Sequence, residues 1–346
     1  MRNRQVVLAS RPRGPVKESD FRMVEAEVPA LQEGELLTRV HFLSLDPYMR
    51  ARMDDARSYA AAQRLGEVMI GGTVAEVLES RNPRFRPGDK VVGMAGWQEY
   101  QVTDGSMLRK IDTAAIPASA HLGCVGMPGV TAWYGLTRIG KPRPGETVLV
   151  SAAAGAVGSV VGQLARILGC RAVGIAGGKA KCEHVVGELG FDACLDHKAA
   201  SFPEDLRAAT EKGVDVLFEN VGGAVLDAAL SRMNPFGRVA VCGLIAGYDG
   251  QDIALRNVRA ILVDRLLVQG FIVSDHPQVW PQALQELAAH VAAGRIRWRE
   301  TVAEGLESAP RAFIGMLRGE NLGKQLVRLV REAAAAGPRG GAPSPG

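Results

Sequence analysis

Aromatic side chains make up only 5% of this 346-residue chain, and cysteine is scarce, with five copies. Those five, Cys124, Cys170, Cys182, Cys194 and Cys242, are scattered without Cys-x-x-Cys spacing. That pattern argues against a disulfide framework and a structural zinc lobe, and for reduced thiols. Long apolar runs are also missing. No segment reaches the roughly 20 apolar residues needed to span a bilayer, and MRNRQVVLAS lacks an apolar stretch of signal-peptide length, so a soluble, cytoplasmic protein is expected. Charge of one sign is not in excess: 41 basic and 37 acidic residues are interleaved, leaving a net charge of +4. No concentrated polyanion-binding face is implied, which disfavours nucleic acid as the main partner.

Against these absences stands one strong local signal, VLVSAAAGAVGSVVGQLARIL at 148–168. Thr147 to Val150 is apolar and β-branched, suiting a parallel strand buried on both faces. Ala152, Gly155 and Gly158 follow as Ala-x-x-Gly-x-x-Gly, a variant of the dinucleotide fingerprint that lets a phosphate approach a helix N-terminus. Ser159 to Leu168 supplies the helix, with Val161, Leu164, Ala165 and Leu168 at helical spacing.

The next strand, RAVGIA at 171–176, ends where an NAD site places an acid against the ribose 2′-hydroxyl. Here the chain reads Gly177, Gly178, Lys179, Ala180, Lys181 instead. No carboxylate repels a 2′-phosphate and two ammonium groups are at hand, so the pattern points to NADPH over NADH.

A chain of this length suggests two domains. Residues 1–125 hold short strands and turn breakers such as Gly71-Gly72 and Arg86-Pro87-Gly88-Asp89, the mark of an irregular β-rich unit, which residues 295–331 are expected to rejoin. Residues 126–294 alternate strand and helix, with VLVSA, RAVGIA, DACLD, VDVLFE, RVAVCG and LLVQGFIV as strand candidates of a doubly wound parallel sheet. Residues 332–346, low in complexity, read as a disordered tail.

Several segments in this order carry a resemblance: LDPYMR at 45–50, GMPGVTAWYGL at 126–136, the fingerprint, NVGG at 220–223 and GENLGKQLV at 319–327. Together they resemble the medium-chain dehydrogenase/reductase superfamily, and within it the zinc-free branch of prostaglandin/leukotriene, alkenal and curcumin reductases. The resemblance implies a GroES-like β-rich domain joined to a Rossmann domain, and NADPH-dependent reduction of the carbon–carbon double bond of α,β-unsaturated aldehydes and ketones. It also implies a homodimer through the edge strand near LLVQGFIV.

The residues themselves fit chemistry without a metal. Zinc-using relatives need an early Cys or His ligand and a Gly-His-Glu segment, whereas this chain has Ser44, Leu45 and Asp46, with His41 read as a strand residue and His121 as a helix or loop residue. Hydride addition to the β-carbon of an enone develops negative charge on the carbonyl oxygen, and a neutral phenol is a suitable donor to it. Of the five tyrosines, Tyr248 in LIAGYDG follows a sheet strand and matches the family's active-site tyrosine; Tyr48 in DPYMR is either substrate-facing or packed.

Carried over by resemblance, Gly155, Ala156, Val157 and Gly158 hold the pyrophosphate, Lys181 the 2′-phosphate, and Asn220 lies by the ribose. Cys242, Gly243 and Leu244 follow the nicotinamide, Phe271, Ile272 and Val273 lie near the carboxamide, and Asn321 reaches the cofactor from the returning C-terminal segment. His197 stands where the family places a tyrosine against the 2′-phosphate. The alternatives are an NADPH quinone reductase and a non-catalytic NADPH-binding sensor or interaction protein.

Overall fold

The computed structural model describes residues 1–330; the tail expected at 332–346 lies outside them. The N-terminal half is built on a seven-stranded, mainly antiparallel sheet. Its longest strand, Leu36–Ser44, pairs with Thr73–Ser80 and with Tyr100–Thr103. Lys324–Arg328 adds antiparallel to the same strand and carries Glu300–Glu304 parallel on its far side, so the end of the chain completes the first sheet. A separate hairpin, Arg2–Leu8 with Phe21–Glu27, packs nearby. Three of the scarce aromatics meet here: Phe21 stacks on Trp97 at 5.3 Å, and Phe313 meets Trp97 edge-on at 5.6 Å. Such pairs anchor a core beyond the effect of their buried area.

The second sheet is parallel and six-stranded. Its strands are β1 (Thr147–Val150), β2 (Arg171–Ala176), β3 (Ala193–Asp196), β4 (Val214–Glu219), β5 (Met233–Val241) and β6 (Leu267–Gly270). Their spatial order is β3-β2-β1-β4-β5-β6. The order reverses between β1 and β4, and a ligand crevice opens at such a switch point, outside the carboxyl ends of the strands. Val148, Leu149 and Val150 are fully buried, as expected of a strand covered by helices on both faces.

Three helices pack on the first three strands of this sheet: α1 (Gly158–Ile167), α2 (Lys179–Gly187) and α3 (Phe202–Ala209). The last strand is shorter than its apolar run suggested. Only Leu267–Gly270 pairs, Phe271 turns into the core, and Val273–Asp275 forms a 3₁₀ turn. Apolarity here marks burial rather than strand.

Gly162 sets how closely α1 lies on its neighbours, because an added Cβ would fall inside the buried ring of Phe191. Overpacking of this kind costs typically 1–3 kcal/mol. Gly162→Ala is expected to lower the unfolding free energy by about 2 kcal/mol in urea titration, while Gly187→Ala, with open space around it, stays within about 0.5 kcal/mol of wild type or gains stability.

Candidate active site

The crevice is built from the turn after β1. Ala152 adopts a positive φ of 50°, and its carbonyl turns towards α1, where a Cβ on Gly158 would strike it. A Cβ on Gly155 would sit 3.1 Å from the same oxygen. The backbone therefore closes tightly only with glycine at Gly158, and the N-terminus of α1 begins at this bend. The returning C-terminal segment docks on this turn: Gly323 N–H donates to the Ala154 carbonyl at 2.9 Å, and Gly155 bridges Gly323. Asn321 is thereby brought to the turn, its side-chain amide donating to the Gly323 carbonyl at 2.8 Å. Ala156 and Val157 complete the same bend.

At the end of β2 the chain passes through Gly177 and Gly178, the latter at φ 103°. A Cβ on Gly177 would lie 3.0 Å from His197 Nε2 and 3.1 Å from Lys198 Cε, so both side chains from the loop after β3 stand over this glycine pair. Asp196 sets that loop by accepting from the Gly178 and Lys198 amides at 2.8 and 3.0 Å. Lys181 reaches across from α2 to the Gly319 carbonyl at 2.7 Å. Burial, and then the charge of Lys198, lower the Lys181 pKa, while burial and Lys198 likewise lower that of His197. The cationic partner of Lys181 is thus Lys198 rather than Lys179, which is exposed and lies 3.8 Å from Glu183. Lys198 reaches this recess because the sheet places β3 beside β2.

On the other side of the switch point, Asn220 is fixed by two bonds to Ser151, one to its hydroxyl and one to its carbonyl, both 2.8 Å. The Cys242 and Gly243 amides donate to the Glu219 carbonyl at 2.8 and 3.2 Å, which holds Cys242, Gly243 and Leu244 beside Asn220. The Tyr248 hydroxyl folds back over this shelf, 3.6 Å from where a Gly243 Cβ would be. Burial pushes the phenol up to about 12, with Tyr59 and Cys242 as electrostatic neighbours. Glu219 is fully buried; one carboxylate oxygen accepts the Val221 and Gly222 amides at 2.5 and 2.6 Å, and burial pushes the carboxyl up to about 6. Phe271 differs from expectation in one respect: its ring packs on Phe218 and Tyr134 in the core, so only its backbone can face the crevice. The Val273 carbonyl is engaged by Trp280 at 3.4 Å, and Ile272 lies between the two.

The facing wall comes from the first sheet. Pro47 starts a short helix, Tyr48–Met53, whose Met49 and Met53 are fully buried while Tyr48 and Arg52, four residues apart, share another face. Lys324, 3% exposed, anchors the segment, donating to the Leu45 carbonyl at 2.6 Å and lying 3.1 Å from Asp46. Ser44 also donates to Asp46. Burial, then the charge of Asp46, raise the Tyr48 pKa well above its usual value. Arg50, 2% exposed, ties this helix to the opposite wall by donating to Asp249, next to Tyr248, at 3.3 Å. It also holds Asp54 at 2.8 Å and the Gly14 carbonyl at 3.0 Å. Tyr59, 57% exposed, is the third tyrosine of the cleft, and its charge state is felt by both Tyr48 and Tyr248. Sequence reasoning missed Tyr59, Lys198, Ser151 and Lys324. Ser151 and Lys324 lie inside recognisable motifs and Lys198 follows His197, whereas Tyr59 carries no local signal.

His41 lies 3.1 Å from Glu76, and His121 contacts the Asp112 carbonyl at 3.3 Å. Among the described residues no three His, Cys, Asp or Glu side chains gather as a set able to hold a metal. No helix there is long and apolar enough to cross a membrane. The arrangement offers a crevice at the switch point with a cationic recess at one end and raised phenols at the other.

A crevice of this kind between a Rossmann sheet and a GroES-like domain defines a medium-chain dehydrogenase/reductase, and the chain belongs to that family. Residues 4–111 match the N-terminal domain of oxidoreductase, and residues 156–289 match a family described as zinc-binding dehydrogenase. The chain is 45% identical to the NADPH-dependent curcumin reductase of Escherichia coli over 95% of this chain and 97% of that one. It is 41% identical to the NADP(+)-dependent 2-alkenal reductase of Nicotiana tabacum, covering 95% and 98%. The solved structure of CurA from Vibrio vulnificus in complex with NADPH superimposes with a TM-score of 0.91 at 42% identity, covering 95% and 100%.

Removing one partner of a buried ion pair leaves the other charge uncompensated, at a cost of about 3–5 kcal/mol. Asp46→Asn is expected to destabilise the protein by that order in denaturant titration. A change below about 1 kcal/mol would mean that Lys324 is held by the carbonyls alone.

Proposed function

We propose that the protein is an NADPH-dependent reductase of the carbon–carbon double bond in α,β-unsaturated aldehydes and ketones. The observation that carries this reading is the Tyr248 phenol, neutral and half-buried, poised over the Gly243–Asn220 shelf at the switch point.

The residues present fit the cofactor. The bend Gly155, Ala156, Val157, Gly158 would hold the pyrophosphate on the N-terminus of α1, where backbone donors and helix dipole favour negative charge. Lys181, Lys198 and His197 around the open Gly177–Gly178 pair would take the 2′-phosphate. Asn220 and Asn321 would position the riboses. Cys242, Gly243 and Leu244, with the backbone of Phe271, Ile272 and Val273, would border the nicotinamide. Bound NADPH supplies the hydride that reaches the β-carbon of the enone. Tyr248, assisted by Tyr48, donates to the substrate carbonyl oxygen as charge develops there, and a solvent proton completes the α-carbon. No metal is required for these roles, and the scattered free cysteines suit a reducing, cytoplasmic setting. The chain divides for these tasks into 1–125 with 295–331 and 126–294. The open edge β6, exposed along its length beside exposed Leu262 and Val263, supports a homodimer through that edge.

NADPH oxidation is expected with an enone but not with the saturated ketone. Tyr248→Phe should lower kcat for the enone by roughly 10- to 1000-fold while NADPH affinity holds. Because the phenol is raised to about 12, the donor form persists and kcat should show no alkaline fall attributable to it between pH 7 and 10. A loss with midpoint near the ordinary phenol value of about 10, absent in Tyr248→Phe, would mean that burial does not raise the phenol.

The cofactor half is tested separately. Lys181→Ala and Lys198→Ala should each weaken NADPH binding by about 10-fold or more and leave NADH nearly unaffected, read by nucleotide titration. Equal effects on both nucleotides would defeat the 2′-phosphate assignment.

A further inference from the structure

One buried titratable group at the switch point has no task in the enone-reductase mechanism. Glu219 ends β4, is fully buried, and joins the segments that form the shelf under Tyr248. Its carbonyl accepts the Cys242 and Gly243 amides at 2.8 and 3.2 Å, while its Oε1 accepts the Val221 and Gly222 amides at 2.5 and 2.6 Å. Asn220, between these contacts, is bonded to Ser151 after β1. One residue therefore ties together the ends of β4 and β5, and its neighbour ties them to β1. The second carboxylate oxygen, Oε2, is sealed from solvent and has no hydrogen-bond partner among the described residues. A carboxylate so placed is costly to keep, and the charge-assisted bonds from the turn offset that cost only while it is ionised. The charged residues of the surrounding elements face elsewhere. Arg238 of β5 pairs with Glu146, Asp215 of β4 takes the Thr147 amide, and Asp227 of the helix Gly223–Leu230 takes the Arg256 and Asn257 amides. Arg138 of the turn Gly135–Gly140 lies over Trp133. Cys242 is the titratable neighbour that feels the charge of Glu219.

We propose that Glu219 is a positioning residue for hydride transfer: its carboxylate holds the turn after β4 and the shelf after β5 in one register, and a proton on it releases the turn and slows the reaction. A protonated Oε2 would need an acceptor, and none is in place, so the proton is accommodated only by moving the turn or Ser151. Asn220 and Gly243 lie on the two sides of that joint, and the Tyr248 hydroxyl stands over it. A displacement of the bound nicotinamide by about 1 Å is enough to cost on the order of 100-fold in rate. Burial pushes the carboxyl up to about 6, against the pull of the turn amides and Ser151, so the proton arrives in mild acid. The active arrangement is therefore present above that pH and lost as pH falls through it. This inference rests on the enone-reductase reading and adds a residue and a pH dependence to it.

The test is the pH profile of kcat for an enone at saturating NADPH. In the wild type kcat should fall in acid with a midpoint near about 6. Glu219→Gln keeps the shape and an acceptor but not the charge; its kcat at neutral pH should be roughly 10- to 100-fold lower and free of that acid limb, whereas Glu219→Asp keeps the limb. Ser151→Ala removes a hydroxyl that holds the carboxyl down, so it should move the limb to higher pH. A wild-type rate in Glu219→Gln, an acid limb unchanged in it, or an unmoved midpoint in Ser151→Ala overturns the proposal. The fluorescence of bound NADPH gives a readout without turnover: it should change through the same midpoint in the wild type and not in Glu219→Gln. The 2′-phosphate of the cofactor, with a pKa of about 6, titrates in both proteins, so the difference between them is the quantity read. If no enone is reduced while that difference is present, the reaction class is wrong and the positioning role stands. If the difference is absent, the positioning role falls.

Discussion

The backbone contact at the bend after β1 is the constraint on which the rest of the molecule depends. The Ala152 carbonyl, turned by a positive φ, occupies the space any side chain at Gly158 would need. That closure aims the N-terminus of α1 into the crevice. It also leaves the Ala154 carbonyl free to accept Gly323, which seats the C-terminal segment on the same bend. The segment 319–323 also meets Lys181, whose ammonium caps the Gly319 carbonyl. One stretch of chain therefore touches the glycine bend and the cationic recess, and its next residues form the strand that anchors Asp46 and the tyrosine helix. A disturbance at the bend would reach both walls of the cleft.

Charge is used in two different ways around this frame. Lys324 and Arg50 are buried and satisfied, each by carbonyl oxygens and carboxylates at hydrogen-bond distance, so their positions are set by structure. Buried ion pairs are weak sources of net stability but penalise every alternative arrangement that breaks them. Here they fix the register of Asp46 to Asp54 against the first sheet and against Asp249. Lys181 instead has its pKa lowered by burial and then by the charge of Lys198. Under the proposed function, an arriving phosphate would offset both costs.

The fold was legible in the sequence because its signals are local and redundant. The β1 run, the small-residue bend and the amphipathic α1 lie within about two dozen residues, and each constrains the others. The position of Tyr248 at the crevice was legible for a related reason, since it follows a recognisable strand at the carboxyl edge of the sheet. What stayed hidden depends on contacts between distant segments. Tyr59 sits in RSYAAAQ, which has no periodicity, and enters the cleft only because the helix before it faces the opposite domain. Lys198 needed β3 to lie beside β2 before it could be placed over the Gly177–Gly178 pair. Phe271 read as a strand residue because a buried apolar run has the same composition whether it pairs or packs.

The Arg50–Asp249 contact ties these observations into one mechanical picture. Asp249 belongs to the long connection between Val241 at the end of β5 and the helix Arg259–Val263. Long loops of this kind are mobile unless something holds them, and they are where function concentrates. Arg50 spends one nitrogen on that loop and the other two on its own domain, so the tether draws on a preformed, buried group and asks little further ordering of it. Tyr248, adjacent to the tethered residue, is thereby held from the opposite domain as well as from its own, where the Ile245 and Ala246 amides donate to the Asn220 and Val221 carbonyls. The tyrosine proposed as donor and the helix that faces it are then set by the same arginine. A change in the spacing of the two domains would misplace both together.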